Sequence, residues 1–456
     1  MTHRFARAFC RISIVGMAAV LLSCAAFAGD MGRLGGYFTD ARGKPVFLLG
    51  YYDWASVAGD YYIDQPSTYR DMIDRMSACK LNYVRVSLGI SRFSDTTDPK
   101  SHDSRPTPVA FRYVNGKADL GEWDETFWAG LRRLCELARS RNMLIHICFF
   151  DGVGLRGGRQ CYRWNNSPWN ARNQIRDFYG DVDVGHDGGA DQNGDFYRIE
   201  NFRKGVGIGH YQRRLIAKAI AETARYDNVF YEIGNELLGS SAEWNSAVIS
   251  YAKSLTSKPI TQNGGGHAAN ADGTSDHGGD TPQTVRARIA RMLGKGCPAW
   301  VDPDGSALLN GTPDDLRRAA WYSLTDGAAG WGGFTFDYWN EKFNETKASY
   351  YGNLASFVRQ SGVRFWEMAP AAGLVSNPGA NGCLAKVGSE YLVYVLNDAE
   401  VTLDLGAAKG RATVRLYEPK TGAWHKQSVD GGGRRVFRRP DGADDWVIHV
   451  RAYRSM

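Results

Sequence analysis

The chain has 456 residues, too many for one ordinary domain and enough for a large barrel followed by a small module. Its formal net charge is +6, and lysines and arginines are interspersed with acids rather than gathered in a stripe, so we expect no nucleic-acid partner. After the N-terminus, no segment has the roughly 18 uninterrupted apolar residues of a membrane span.

Residues 1–28 have the pattern of a secretory signal peptide. Three arginines precede an apolar stretch that ends near Leu22, and Ala26-Phe27-Ala28 matches a signal-peptidase cleavage site. Loss of these arginines would lower the net charge from +6 to +3. We therefore expect a secreted or periplasmic protein, and the alternative is a lipoprotein anchored through Cys24 in Leu-Leu-Ser-Cys.

Over residues 29–373, apolar strands alternate with amphipathic helices, which predicts an α/β fold of the (β/α)8 TIM barrel type. The eight predicted strands are Val46–Tyr51, Tyr83–Leu88, Leu144–Phe149, Val229–Ile233, Pro259–Gln262, Thr274–Asp276, Ala299–Asp302 and Gly333–Phe336. The predicted helices include Ser67–Ala78, Asp124–Ser140, Tyr211–Ala224, Ala242–Ser254, Thr281–Leu293 and Pro313–Asp326. Long insertions over 91–121 and 150–209 are expected to overhang the barrel mouth.

Residues 374–456 change to short alternating segments separated by turns, which predicts a small C-terminal β-sandwich. The predicted strands are Tyr391–Leu396, Val401–Leu405, Ala412–Tyr417, Ala423–Val429, Arg435–Arg438 and Asp445–Ala452.

Six cysteines follow the signal segment, and an oxidising compartment would allow some of them to pair. Cys148 and Cys161 are the closest couple in sequence, but the number of possible pairings leaves the connectivity open. Burial as small apolar side chains is at least as good an interpretation.

The loop Asp181–Asp195 resembles a calcium loop only superficially. Asp191, Asn193 and Asp195 are suitable ligands, but Phe196 stands where such a loop needs glycine and Phe202 where it needs glutamate. The cysteine spacings also lack a zinc pattern. We expect no metal and no cofactor.

The segment Asn228–Glu236 is the most informative part of the chain, because an apolar strand ends there in an amide and a carboxylate. In a TIM barrel the loops after the strand ends converge on one mouth, so Asn235 and Glu236 are candidates for an active site. The alternative is that Asn235 caps the next helix and Glu236 is merely solvated.

The run Tyr231–Glu236 resembles the fourth-strand signature of clan A glycoside hydrolases. The connector Phe365–Pro370 and the strands after it resemble a C-terminal module named for collagen binding. The resemblance implies hydrolysis of O-glycosidic bonds in a poly- or oligosaccharide, with Glu236 as general acid/base and Asn235 holding a sugar hydroxyl. No constellation of residues in the module supports collagen binding.

Glycosidic cleavage requires a second carboxyl group, and Asp302 and Asp304 follow the seventh predicted strand on the same side. The clan usually has glutamate there. Aspartate is one methylene shorter, so the sequence does not establish the distance of about 5–5.5 Å between the two carboxyl groups that a retaining mechanism requires. We favour Asp302 because Asp304-Gly305 is typical of a turn. The alternative is that both aspartates are turn residues with no catalytic role.

Further candidates lie at other predicted strand ends. The resemblance implies that Arg85 keeps the second carboxyl ionised and that His277 lies beside it; a salt bridge inside the barrel is the alternative for Arg85. Glu232 and His146 are expected to be structural.

Aromatic rings pack on sugar faces, and a group of tryptophans and acids follows several strands. Each has packing or helix capping as its alternative. The predicted substrate-binding residues are Trp54, Trp164, Trp339, Asp53 and Asp151.

The irregular Asp-Pro-Asp after the seventh strand keeps a second function open. A barrel without turnover could bind polysaccharide or scaffold a surface complex. Carboxyl groups separated by far more than about 9.5 Å would favour such a binder.

Overall fold

The computed structural model describes residues 30–53, 69–88, 109–157, 164–180, 196–277, 281–302, 312–333, 344–430 and 432–452. The predicted signal segment with Cys24 lies outside these ranges, as do Cys161, Trp54, Asp304 and Trp339. Within the described ranges, no helix is both long and apolar enough to cross a membrane.

Eight parallel strands form a closed barrel, which confirms the predicted TIM barrel. Before it, β1 (Gly32–Leu34), β2 (Tyr37–Thr39) and β3 (Pro45–Val46) form a small antiparallel sheet. The barrel strands are β4 (Leu48–Asp53), β5 (Tyr83–Ser87), β8 (Leu144–Asp151), β9 (Val229–Asn235), β10 (Ile260–Asn263), β11 (Thr274–Asp276), β12 (Ala299–Val301) and β13 (Gly330–Trp331). The hairpin of β6 (Phe111–Val114) and β7 (Lys117–Trp123) is inserted between the second and third barrel strands.

The last barrel strand is the one whose predicted position was wrong. It lies at Gly330–Trp331 and pairs with Leu48 and Leu49 of the first strand, whereas the predicted segment was Gly333–Phe336, of which only Gly333 belongs to the described residues. The segment from Ala328 to Gly330 consists of small residues without β-branching, so it gives no strand signal in the sequence. These small residues allow the close approach to β4 that closes the barrel, since a Cβ on Gly330 would lie 2.4 Å from that of Leu48.

Helices surround the barrel, and the bounds of six of them agree with the predicted ones to within a few residues, whereas Ile199–Lys204 and Glu345–Ser361 were not predicted. Asp124, Ser241, Thr281 and Thr312 cap four of them through their side-chain oxygens. The helices are α1 (Tyr69–Ala78), α2 (Glu125–Ser140), α3 (Ile199–Lys204), α4 (Ile208–Thr223), α5 (Ala242–Lys253), α6 (Pro282–Leu293), α7 (Pro313–Thr325) and α8 (Glu345–Ser361).

The C-terminal part consists of two antiparallel sheets in a sandwich-like arrangement. The larger sheet has the order β14-β15-β16-β21-β18-β19, and the smaller contains β17 and β20. Six of these strands match the predicted ones, whereas β14 and β15 were not predicted. The bounds are β14 Ala369–Pro370, β15 Gly382–Lys386, β16 Glu390–Leu396, β17 Glu400–Asp404, β18 Arg411–Tyr417, β19 Trp424–Asp430, β20 Arg434–Arg438 and β21 Asp445–Ala452.

The larger sheet is covered on both faces. Val393 and Val395 of β16 pack against the small sheet, whereas Leu392 and Tyr394 belong to the core shared with the barrel. The ring of Tyr394 stacks on Trp321 of α7 at 6.0 Å. Because successive side chains of a strand point to opposite faces, this alternation makes β16 the middle layer between barrel and small sheet.

A buried ion pair joins the barrel to this sheet. Arg317 of α7 donates to the Asp445 carboxylate over 3.1 Å, and neither side chain has exposed surface. The hydroxyl of Tyr394 donates to the same carboxylate over 2.6 Å. The two parts of the chain therefore share one continuous core.

All cysteines in the described residues are free thiols. Cys148 is buried in the barrel, and its thiol donates to Glu232 over 3.3 Å. The Cys148–Cys161 disulfide, open as a possibility from the sequence, is therefore not formed in this structure.

Candidate active site

Glu236 is held at the barrel mouth in an unusual backbone conformation. It directly follows β9 with φ of +47°, a left-handed value that is costly for a residue with a side chain. Its N–H donates to the Asn263 side chain over 2.8 Å. Gly152 packs so closely beneath it that a Cβ there would lie 2.1 Å from the Glu236 carbonyl oxygen. These contacts fix the direction of the Glu236 side chain.

Asn235 connects several of the predicted site residues. Its side-chain oxygen, Oδ1, accepts hydrogen bonds from both terminal nitrogens of Arg85 at 3.1 Å and contacts Nε2 of His277. Its amide nitrogen donates to Asp151 over 3.3 Å. The structure thus brings together the ends of the second, third, fourth and sixth barrel strands.

Arg85 lies between two carboxyl groups inside the barrel. It forms a short ion pair with Glu232, and its Nε lies 3.8 Å from Oδ2 of Asp302. All three side chains are fully buried. Arg85 therefore has both the structural ion pair considered for it and the predicted place beside the second carboxyl. The expected structural role of Glu232 agrees with this pairing.

His146 is a satisfied core histidine, as expected. Its Nδ1 lies 3.0 Å from the Tyr83 hydroxyl and its Nε2 lies 2.8 Å from the Thr261 hydroxyl. It also stacks on Phe230 at 4.1 Å.

Asp302 follows β12 and points into the barrel. Its Oδ2 accepts hydrogen bonds from Trp300 Nε1 at 2.8 Å and from the Tyr83 hydroxyl at 3.3 Å. Within the described residues, its Oδ1 has no hydrogen-bond partner, and Gly332 packs against it. The backbone carbonyl of Asp302 contacts Nδ1 of His277. The side chain has no exposed surface.

The environment of Asp302 favours its protonated form. Burial raises its pKa from the usual 3.8 to about 7, against the opposing charge of Arg85, and the Glu232 carboxylate adds to the increase. A single guanidinium between two buried carboxyl groups can compensate one negative charge. Because Arg85 is bonded directly to Glu232, its charge does not fully offset the burial of Asp302.

The environment of Glu236 has the opposite effect. Burial raises its pKa, but the charges of His277 and Arg156 outweigh burial and leave the pKa below its usual value. Desolvation and the nearby Arg85 lower the pKa of His277 to about 4, against the opposing charge of Glu236. Arg156, whose Nη2 lies 2.5 Å from Oε2 of Glu236, contributes to this lowering through both its charge and its hydrogen bond.

The other predicted substrate contacts are less well supported. Trp164 is only 1% exposed, so its ring packs inside the protein, and a role in substrate binding stays a prediction that this burial does not favour. Asp151 is buried and positions Asn235. Asp53 ends the first barrel strand. Trp54, Asp304 and Trp339 lie outside the described residues, so their predicted roles remain untested.

Four residues of the site were not predicted: Arg156, Tyr83, Trp300 and Asn263. Tyr83 and Trp300 each precede a predicted site residue by two positions on the same strand, which places them on the same barrel face. This spacing is a signal that the sequence offered. Arg156 lies in a long insertion and carries no such signal. In the described residues, no group of three or more His, Cys, Asp or Glu could hold a metal ion.

Comparison with known proteins adds information about the fold. No protein-family model matches the chain, and no curated protein matches it in sequence. Among solved structures, a glycoside hydrolase family 5 protein from Bacteroides vulgatus is 14% identical over 93% of both chains, with a TM-score of 0.65. The chain shares the fold of that protein. A family 5 mannosidase from Rhizomucor miehei is 13% identical over 74% of this chain and 99% of its own, with a TM-score of 0.51.

The fold alone does not decide the chemistry. The maltogenic α-amylase AmyB from Thermotoga neapolitana is also similar, with 12% identity, coverage of 89% of this chain and 99% of its own, and a TM-score of 0.53. Enzymes named for different sugars therefore share this barrel, and function has to be argued from the site.

Proposed function

We propose that the protein is an exported glycoside hydrolase that cleaves O-glycosidic bonds of a poly- or oligosaccharide with two carboxyl groups. The observation that carries the proposal is the connected set Arg85, Asn235, His277 and Asp302, which links the strand end bearing Glu236 to the strand end bearing the second acid. The shared fold with glycoside hydrolases supports it.

In this proposal Glu236 donates a proton to the glycosidic oxygen as the bond to the anomeric carbon breaks. Asp302, once ionised, either attacks that carbon or removes a proton from an attacking water. Arg85 and the donors Tyr83 and Trp300 stabilise the ionised form of Asp302. Asn235 is placed to hold a sugar hydroxyl. The anomeric configuration of the first product, read by NMR, distinguishes the two roles of Asp302.

The substrate in this proposal is a saccharide, without restriction to one sugar. Neighbours of the same fold are named a mannosidase and an α-amylase, so the likeness does not select between linkages. Export through the segment 1–28 belongs to the proposal as well. Mass spectrometry of the mature N-terminus tests it, because release after Ala28 and lipidation at Cys24 give different masses.

A second candidate function is polysaccharide binding without turnover. The complete burial of Asp302 favours it, because a nucleophile or base must contact the substrate or a water. In this case the network around Asn235 would serve to position sugar hydroxyls alone.

A screen of plant and microbial polysaccharides with wild type, Glu236→Gln and Asp302→Asn separates the candidates. We expect both variants to retain binding and to lose hydrolysis by about 10²-fold or more, the typical contribution of a general acid or base. Glu243→Gln, an exposed glutamate on the following helix, is the matched control and should retain activity. Undiminished sugar release by Glu236→Gln would remove it from the mechanism. Binding by wild type without any hydrolysis would support the second candidate.

A further inference from the structure

A chain of four buried side chains ends at the proposed second acid. The Tyr83 hydroxyl lies 3.3 Å from Oδ2 of Asp302 and 3.0 Å from Nδ1 of His146. On the other side of the imidazole, Nε2 lies 2.8 Å from the Thr261 hydroxyl. The four residues have no exposed surface, and they come from the second, third and fifth barrel strands and the end of the seventh. The chain therefore crosses the interior of the barrel.

Tyr83 has one proton to donate and two neighbours that can accept it. A carboxylate is the stronger acceptor, because a hydrogen bond to an ionised group is roughly twice as strong as one between neutral groups. When Asp302 is ionised, Tyr83 therefore donates to Oδ2, and the Tyr83 oxygen is left to accept a hydrogen bond from His146. His146 can donate that bond only if its ring hydrogen is on Nδ1.

The Thr261 hydroxyl completes the chain at Nε2. Burial and the neighbouring Arg85 guanidinium hold the pKa of His146 well below its usual range, which favours the neutral imidazole with one ring hydrogen. With that hydrogen on Nδ1, Nε2 is an acceptor, and the Thr261 hydroxyl is the donor that faces it. The Tyr231 carbonyl, 3.1 Å from the same hydroxyl, is the competing acceptor. Every hydrogen bond of the chain then points from Thr261 towards Asp302.

Removal of the Thr261 hydroxyl would reverse this order. The Tyr231 carbonyl and Oε2 of Glu232, which lies 3.7 Å from Nε2, can accept hydrogen bonds but cannot donate them to the imidazole. The ring hydrogen would then be on Nε2, and the bare Nδ1 would accept the hydrogen bond of Tyr83. Asp302 would lose one of its donors.

We propose that His146 is a positioning residue that directs the Tyr83 hydroxyl to the ionised form of Asp302 by keeping its own ring hydrogen on Nδ1. The imidazole acts through Tyr83 and does not touch the substrate. As a carboxylate, Asp302 then has two donors on Oδ2, the Trp300 indole at 2.8 Å and the Tyr83 hydroxyl. This inference rests on the proposed glycosidase function, in which Asp302 acts in its ionised form.

Other ionisable groups also face Asp302, and a test of the chain has to leave them in place. The Nε of Arg85 lies 3.8 Å from Oδ2 of Asp302, and the Glu232 carboxylate opposes the ionisation. His277 contacts the backbone carbonyl of Asp302. A substitution of Thr261 changes none of these side chains, so its effect on the ionisation of Asp302 reports on the chain.

Thr261→Val and Thr261→Ser form the matched pair of variants. Valine has nearly the shape of threonine without the hydroxyl, whereas serine retains the hydroxyl. The titration midpoint of Asp302 is followed by carbon-13 NMR of its carboxyl group, and Asp302→Asn identifies the signal. We expect Thr261→Val to raise the midpoint by at least about one pH unit, the typical contribution of a hydrogen bond to a charged group. Thr261→Ser should restore the wild-type midpoint, and an unchanged midpoint in Thr261→Val overturns the inference.

A double variant shows whether Thr261 acts through Tyr83. Tyr83→Phe removes the donor itself and should raise the midpoint of Asp302 by at least as much as Thr261→Val. Because the valine substitution has nothing left to redirect once the hydroxyl of Tyr83 is absent, Thr261→Val/Tyr83→Phe should have the midpoint of Tyr83→Phe. Additive shifts would mean that Thr261 affects Asp302 by another route, and they overturn the role of His146.

The tautomer of His146 is read from the nitrogen-15 chemical shifts of the ring at pH 8.5, where Asp302 is ionised. The signals that Tyr83→Phe displaces identify His146, because the two side chains are in contact. Wild type and Thr261→Ser should have the hydrogen on Nδ1, and Thr261→Val should have it on Nε2. Wild type with the hydrogen on Nε2, or one tautomer in all three proteins, overturns the inference.

Hydrolysis decides whether this arrangement serves catalysis. On a glycan that wild type cleaves, Thr261→Val should lower kcat about tenfold at pH 6, because a midpoint higher by one pH unit lowers the ionised fraction of Asp302 about tenfold. Thr261→Ser should recover the loss, and an undiminished kcat in Thr261→Val overturns the catalytic part of the inference. If wild type cleaves no glycan, the glycosidase proposal fails, whereas a raised midpoint in Thr261→Val still supports the positioning of Asp302 by His146.

Discussion

Replacing Asp302 by asparagine should stabilise the protein at alkaline pH while it abolishes hydrolysis. The folded protein holds the Asp302 proton up to about pH 7, whereas the unfolded chain releases it near pH 3.8. Between these values the folded state binds more protons, so the free energy of unfolding falls as pH rises. Asparagine cannot ionise, and its oxygen can accept the same bonds from Trp300 and Tyr83 while its amide replaces the protonated Oδ1.

The magnitude follows from the size of the shift. Each pKa unit corresponds to about 1.4 kcal/mol, and a shift of about three units gives about 4 kcal/mol in total. Asp302→Asn should therefore match wild type near pH 4 and exceed its free energy of unfolding by about 4 kcal/mol above pH 7. Burial is the main reason why this charge is destabilising, and the neighbouring Glu232 carboxylate, which pairs with Arg85, adds to the effect.

Urea unfolding at pH 4, 5.5, 7 and 8.5 measures this difference. Asp71→Asn is the control, because Asp71 is 42% exposed and its pair with Arg75 lies on a helix surface. Its difference from wild type should stay within about 1 kcal/mol at every pH. A constant difference between wild type and Asp302→Asn over this range would mean that Asp302 is ionised throughout, and it would refute the protonation assigned to the site.

Three further predictions address the mouth, the packing of Asp302 and the junction. Arg156→Gln should shift the alkaline limb of the kcat/KM profile on a neutral glycan to higher pH. Loss of Arg156 raises the pKa of Glu236, and this acid acts only below its pKa. An alkaline limb at the wild-type pH would contradict the role assigned to Glu236. Gly332→Ala should lower activity more than tenfold and stability by about 1–3 kcal/mol, because the new Cβ would lie 1.6 Å from Oδ1 of Asp302. Gly373→Ala is its control, because the new Cβ would have no neighbouring atom within 4 Å. Equal behaviour of the two variants in activity and urea assays would show that the contact between Gly332 and Asp302 is unimportant. Arg317→Leu should lower the free energy of unfolding in urea by about 3–5 kcal/mol, because it leaves the Asp445 carboxylate buried without its ion-pair partner. The Arg317→Leu/Asp445→Asn double variant should recover part of this loss. A loss below about 1 kcal/mol would show that the pair does not join the two parts of the chain.

The sequence predicted the barrel where its strands carry β-branched and aromatic residues, as in Tyr83–Ser87 and Val229–Asn235. It failed at Gly330–Trp331 and Gly382–Lys386, because glycine and alanine form strands there only through tertiary packing. At both places, packing against neighbouring strands and helices stabilises a strand that the local sequence does not favour.

The same distinction applies to the site. The position of Asn235 and Glu236 at the end of a barrel strand was predictable because one continuous strand carries the signal. Arg156 contacts Glu236 across 80 residues of sequence, and the raised pKa of Asp302 arises from side chains that meet only inside the closed barrel. No local pattern encodes such encounters, although the two-residue spacing of Tyr83 from Arg85 and of Trp300 from Asp302 was visible.

In the described residues, the side chains of β16 on one face of the larger C-terminal sheet belong to the core shared with the barrel, and those on the other face pack against the two-stranded sheet. The C-terminal part and the barrel therefore form one folded unit. Truncation after α8 would remove the side chains that cover Trp321 and Phe357 and would expose this apolar surface to water. Attempts to produce the barrel by itself should therefore yield aggregates.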